Sequence, residues 1–189
     1  MKKDIILCGV GGQGILSIAT VIGEAATAAG LNLKQAEVHG MSQRGGDVQS
    51  NLRLSTEPSW SDLIPRGQAD LIISMEPMEA LRYTEYLNAG SAVITSSAPF
   101  VNIPNYPDKD ALLAEVGTLP GVKMADIETI AREKAMPRGA NMILLGMAAK
   151  DLEILSPEEL KAAIARVFAA KGEAVVNSNI EAFETGLGL

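Results

Sequence analysis

Two polar stretches interrupt a chain otherwise rich in Ala, Leu and Ile, and both carry residue types that handle anions. The first is Gly9-Val-Gly11-Gly12-Gln13-Gly14, a G-x-G-x-x-G pattern with an extra glycine. Where a strand hands over to a helix, such a run lets the backbone approach a ligand closely. The first N–H groups of the helix and the positive end of its dipole then attract negative charge. A phosphate is the natural guest. A tight strand-to-helix turn with no ligand has equal weight for an isolated glycine run, so the pattern alone leaves both readings open.

The second stretch is "EVHGMSQRGGDVQSNLRLS", residues 37–55. It holds the single histidine, His39, followed by Ser42, Gln43 and Arg44 and then by Gly45 and Gly46. Arg44 offers a planar, permanently charged fork suited to carboxylate or phosphate, and the paired glycines let the chain bend close to whatever the fork holds. His39 can donate or titrate near neutrality, although by itself it reads as an ordinary hydrogen-bonded loop residue. The run from Ser42 to Gly46 reads as a ligand site or an interface. So many directional groups are costly to order without a partner.

Three further positions fall where open α/β sheets collect function. Glu37 stands roughly where a dinucleotide fold places its ribose-binding carboxylate, which keeps a nicotinamide- or flavin-nucleotide reading alive as the alternative. Glu76, before Pro77, is either a site carboxylate or a favourable charge at a helix start. In "MPRGANMILLG", Arg138, Gly139 and Asn141 open a helix, with Asn141 either a cap or a site residue.

The elements that must position these residues are legible in outline. "DIILCGV", residues 4–10, is a short apolar run bounded by glycine, as a strand buried on both faces requires, and residues 12–29 suit a helix closed by Gly30. "LNLKQAEV" and "VQSNLRLS" alternate as strands do, "ADLIISM" is another buried strand, and "PMEALRYTEYL" predicts a helix with Pro77 in its first turn. "GSAVITS" is a further strand, followed by a proline-rich loop, a helix near Lys109 to Val116 and a short strand "VKMAD". The last third is helical, and "SPEELKAAIARVFAAK" opens with a capping box, Ser156 with Glu159. The expected fold is a three-layer, Rossmann-like α/β domain with a mostly parallel, partly mixed sheet, spanning residues 1–189 as one domain.

Composition sets outer bounds. With 189 residues and 47% hydrophobic content the chain can bury a real core. Its net charge of -7 argues against a nucleic-acid partner. No apolar run approaches the roughly 20 residues of a membrane helix. A soluble, cytoplasmic protein is expected. Cys8 is the only cysteine, so neither an internal disulfide nor an all-cysteine metal or cluster site can be built from this chain, and no metal site is expected. Placed inside the first apolar strand, Cys8 should be an inert core thiol.

Taken together and in order, "GVGGQGILS", "EVHGMSQRGGDVQSNLRLS", "DLIISMEPMEALR" and "NMILLGMAAK" make this sequence resemble the gamma-subunit or gamma-domain family of 2-oxoacid:ferredoxin oxidoreductases across nearly its whole length. The resemblance implies a complex that decarboxylates a 2-oxo acid, aromatic in this case, passes two electrons to ferredoxin and transfers the acyl group to coenzyme A. It places thiamine diphosphate and the iron–sulfur clusters in a large partner subunit. It also gives this chain a part in binding coenzyme A. Carried over by motif, Gly9, Gly11, Gly12, Gln13 and Gly14 match the family's glycine-rich turn, Ser42, Gln43, Arg44, Gly45 and Gly46 its loop, and Glu76 and Asn141 its later positions. His39 and Glu76 stand at the edge of the site, and none of these residues is a stand-alone catalyst. Two other classes remain beside this one: an autonomous nucleotide-binding enzyme using Glu37, and a non-catalytic interaction module.

Overall fold

The computed structural model describes residues 1–39, 46–136 and 138–189, with His39 described in its backbone alone. A strand β1 (Lys2–Val10) leads into helix α1 (Ile15–Ala28), then into strands β2 (Asn32–His39), β3 (Asp47–Ser55) and β4 (Ala69–Ser74). Helix α2 (Pro77–Arg82), strand β5 (Leu87–Ser96), helix α3 (Lys109–Val116) and strand β6 (Lys123–Ala125) follow. The chain finishes in helices α4 (Ile127–Glu133), α5 (Ala140–Ala148), α6 (Pro157–Phe168) and α7 (Glu173–Leu187).

The six-stranded sheet has the order β2-β3-β1-β4-β5-β6. β1 pairs in parallel with β4, β4 with β5 and β5 with β6, whereas β3 runs antiparallel to both β1 and β2. Alternation along the strands divides the core between two faces. Ile5, Leu7, Leu71, Ile73 and Ile94 pack in the cluster built by α1, α5, α6 and α7, and Ile6, Cys8, Ile72 and Val93 pack with Ala80 and Tyr83 on the other face. The expected three-layer, mixed α/β architecture is what the chain adopts.

Local chemistry explains most boundaries. α1 ends in a Schellman motif, with Gly30 at φ +72° and the Leu31 N–H donating to the Ala26 carbonyl at 2.9 Å. α6 buries Leu160, Ala163, Ile164 and Phe168, an i, i+3, i+4, i+8 stripe, and its capping box is closed by both Ser156 and Glu159. α5 is covered nearly all round, and a β-carbon at Gly146 would overlap the Phe183 carbonyl just as one at Gly186 would overlap that of Ile143. Two facing glycines therefore let α5 and α7 cross in backbone contact.

Three expectations need correction. The helix foreseen over 77–87 stops at Arg82, and a single 3₁₀ turn, Thr84–Tyr86, feeds β5, which begins at Leu87 rather than at Gly90. α4 was not foreseen, being a seven-residue helix started by the Asp126 side chain. α7 begins at Glu173, well before the "IEAFETGL" stretch.

Candidate functional site

β1, β4, β5 and β6 run the same way, so their carboxyl ends share one edge of the sheet, where open α/β folds bind ligands. The chain leaves β1 toward β2 and β3 on one side, and continues from β4 to β6 on the other. The crevice of this switch lies between β1 and β4. Gln13 spans it: its Oε1 accepts from the Val10 N–H at 2.7 Å and its Nε2 donates to the Met75 carbonyl at 3.3 Å. Its side chain is therefore a brace of the turn rather than a free ligand group.

The glycine turn is tied down at three more points. Gly11 N–H donates to the Gly46 carbonyl at 2.8 Å, which brings the far end of the polar loop against the turn. A β-carbon at Gly9 would sit 3.0 Å from the Gln13 Oε1 and from the Met75 Cβ, so the strand end has no room for a side chain. Gly14, in the left-handed region at φ +89°, starts α1 and would bring a β-carbon within 2.6 Å of the Asn141 Nδ2. That amide donates to the Gly14 carbonyl at 3.2 Å, and its Oδ1 is buried with no hydrogen-bond partner among the described residues. Asn141 lies inside the first turn of α5 and does not cap it, since Gly139 holds the cap position.

The helices begin in two ways. α2, α3, α4 and α6 are capped by the side chains of Glu76, Asp108, Asp126 and Ser156. α1, α5 and α7 start from Gly14, Gly139 and Gly172, with no side-chain cap on any of them. The first turns of these three helices line a single cleft of about 1640 Å³. Each uncapped start leaves N–H groups without an intrahelical partner and a positive dipole end, and three such ends add where they converge. Arg138, held at φ +67°, and Lys171 bring two cations to the same cleft. Lys171 Nζ lies 5.2 Å from the centre of the Phe168 ring. Glu128 also lines the cleft, and burial, followed by the nearby Asp126 charge, raises the pKa of its carboxyl group. The remaining wall is a strip of residues 98–102 that includes Pro99, Phe100 and Asn102.

Of the residues expected at a site, Gly9, Gly11, Gly12, Gln13, Gly14, Gly46 and Asn141 thus come together. Glu76 lies behind the cleft wall, fully buried, and caps α2. Ser42, Gln43, Arg44 and Gly45 lie outside the described residues, as does the His39 side chain. Glu37 is exposed on the outer strand β2 and paired in register with Ser50, which in turn pairs with Leu7 of β1. An antiparallel strand thus stands between Glu37 and β1, where a dinucleotide fold has its second parallel strand, and about two strand spacings, roughly 10 Å, separate them. The nucleotide-enzyme alternative loses its ribose ligand. Cys8 is fully buried, its thiol pointing at the Glu79 carbonyl 3.6 Å away, and burial pushes its pKa well above the usual thiol range. Lys171 and the start of α7 were missed from the sequence. The available signal was a glycine in place of Ser, Asp or Asn ahead of each of these helices.

The sequence profile described as pyruvate ferredoxin/flavodoxin oxidoreductase matches residues 4–189. The chain belongs to this family. A similar curated protein, an indolepyruvate oxidoreductase subunit of Thermococcus kodakarensis, is 36% identical over 99% of this chain and 96% of its own length. The pyruvate ferredoxin/flavodoxin oxidoreductase fold is seen again in the gamma subunit of a keto/oxoacid ferredoxin oxidoreductase from Geobacter sulfurreducens, with a TM-score of 0.75 at 23% identity, covering 100% of this chain and 95% of that one. The 2-oxoglutarate:ferredoxin oxidoreductase of Magnetococcus marinus, solved with 2-oxoglutarate, coenzyme A and succinyl-CoA bound, matches with a TM-score of 0.74 at 25% identity. That match covers 99% of this chain and 30% of the other. Among the described residues, no helix is long and apolar enough to cross a membrane and no His, Cys, Asp and Glu side chains gather as metal ligands do.

Proposed function

We propose that this chain is the small subunit of an indolepyruvate oxidoreductase and that its cleft receives coenzyme A. A larger subunit carries thiamine diphosphate and the iron–sulfur clusters. Together they decarboxylate an aryl pyruvate, pass two electrons to ferredoxin and transfer the acyl group to the coenzyme A thiol. Residues 1–189 act as one gamma-type domain in this assembly.

The observation behind the coenzyme A assignment is the convergence of three uncapped helix starts on one cleft. Coenzyme A is a polyanion, and phosphate oxygens accept from backbone N–H groups with no side-chain rearrangement. Gly12 and Gly14 present the backbone, Arg138 and Lys171 supply charge, and Asn141 holds the turn in place by its bond to Gly14. Arg44, with Ser42, Gln43 and Gly45, adds a fork for a second anionic group at the partner's side. The cleft exceeds the roughly 300–1,000 Å³ of ordinary small-ligand pockets, as a long ligand shared with a partner surface requires. The decarboxylation and electron transfer are chemistry of the partner's groups, and this chain orients the acyl acceptor.

The test is ligand-induced stabilisation, measured on the chain and on its complex with the large subunit. Coenzyme A should raise Tm in both, 3′-phosphorylated ADP should compete with it, and NAD should do neither. Stabilisation by NAD without an effect of coenzyme A would restore the autonomous-enzyme reading. A complex that assembles but binds coenzyme A equally well without this chain would reduce the chain to an interaction module.

A further inference from the structure

Glu76 is fully buried, and its carboxylate has two distinct tasks. Oε2 accepts from the Glu79 N–H at 2.9 Å and caps α2, a task that one oxygen completes. Oε1 accepts from the Phe100 N–H at 3.2 Å and also from the Tyr106 hydroxyl. Both ends of the 100–106 segment are thus gathered on a single oxygen. Between them the chain has no helix or strand, and Val101 stands 70% exposed, so packing does not fix the segment. Its leading residues line the cleft together with the glycine turn.

We propose that Tyr106 and Glu76 are positioning residues of the cleft, and that the bond between them holds the 98–106 strap as the wall against which the ligand seats. This rests on reading the cleft as the coenzyme A site. Released from Tyr106, the far end of the strap loses its tie to the buried carboxylate while the Phe100 bond remains at the leading edge, and the wall is held less firmly at the opening. Ligand affinity then falls by the fraction of time the wall is out of place. Burial, and then the hydrogen bond to Glu76, pushes the phenol pKa far above its ordinary value, so the proton stays in the bond at any working pH.

Tyr106→Phe removes one oxygen and keeps the ring, and leaves Glu76 to cap α2. In the complex with the large subunit, hydrogen exchange should quicken in peptides covering 98–106 and stay unchanged over 77–82. The KM for coenzyme A should rise roughly tenfold, the scale of one hydrogen bond to a carboxylate, with kcat within about twofold. Reduction of the complex by 2-oxo acid without coenzyme A should be unaffected. Quickened exchange with an unchanged KM, or unchanged exchange, overturns the positioning role. A second variant, Trp60→Ala, removes a 96% exposed side chain from the groove at the other end of the sheet and spares the strap, and it should leave KM unchanged; a rise equal to that of Tyr106→Phe would also overturn the role of the latch. If coenzyme A fails to slow exchange at 98–106 and at the start of α7 in the wild-type complex, the site assignment itself fails, whatever the variants do.

Discussion

The two edges of the sheet use charge in opposite ways. At the amino edge of β1, Asp4 is completely buried and grips Arg53 through Nε at 2.9 Å and Nη2 at 3.1 Å, while Lys2 reaches it at 2.8 Å. Arg53 also donates to the Ser61 and Leu63 carbonyls, and Asp70 receives the Asp4 N–H at 2.7 Å and the Asn88 amide at 2.7 Å. A groove of about 700 Å³ opens there beside Trp60, which is 96% exposed. Its polar groups already answer one another. At the carboxyl edge the donors are backbone N–H groups at glycine starts, the Asn141 Oδ1 has no partner, and Arg138 and Lys171 make no ion pair among the described residues. A cavity with satisfied walls holds the fold together; one with unmet donors leaves room for a ligand.

Removing charge at each edge should separate stability from binding. Asp4→Ala strands Arg53, only 14% exposed, and Lys2 without their acceptor, and should cost about 3–5 kcal/mol in denaturant unfolding. The surviving folded fraction should bind coenzyme A normally. At the other edge, Gly14→Ala forces a side chain into the left-handed region against Asn141, at a cost of about 1–2 kcal/mol in stability, and displaces the start of α1. Here titration calorimetry should show the larger loss in coenzyme A affinity. A drop in coenzyme A affinity from Asp4→Ala equal to that from Gly14→Ala would dissolve the distinction between the edges.

Arg138→Ala with Lys171→Ala sharpens it further. Both side chains lie at the surface, so unfolding free energy should move by no more than about 0.5 kcal/mol, whereas the KM for coenzyme A should rise roughly tenfold. Steady-state kinetics of the complex at two salt concentrations is the measurement, and the wild-type advantage should shrink as salt screens the cleft.

How far the sequence reaches follows from how local each signal is. β1, the Gly30 stop, the capping box and the burial of Cys8 depend on a few adjacent residues and were readable. α4 escaped because seven residues barely complete two turns, too few to display a period. The antiparallel insertion of β3 between β1 and β2 was not legible, because register is set by pairs such as Leu7 with Ser50 that lie far apart in sequence. The glycine turn could be found as a motif. Its partnership with Lys171 could not, because α5 and α7 reach the same cleft only through the close crossing at Gly146 and Gly186.

A helix that caps itself supplies the control for those that do not. At α6 the Ser156 hydroxyl accepts from the Glu159 N–H at 3.2 Å and the Glu159 carboxylate accepts from the Ser156 N–H at 2.7 Å. The backbone bond, and then the hydroxyl bond, depresses the Glu159 pKa. A carboxyl group with a folded pKa below its unfolded value stabilises the fold above that unfolded value, and the contribution fades as pH falls through the lowered folded pKa. Ser156→Ala should cost about 1 kcal/mol at neutral pH, and the deficit should narrow in acid only by the share of the hydroxyl bond to Glu159, because the Ser156 N–H bond to that carboxylate survives in the variant. Unfolding curves recorded from neutral to acid pH measure this. The rise in Tm on adding coenzyme A should be the same in Ser156→Ala as in wild type, because the ligand reaches the helix starts that lack a cap and not this one. A smaller rise in the variant would mean that the start of α6 takes part in ligand binding, and the division between self-capped and ligand-capped helices would fail.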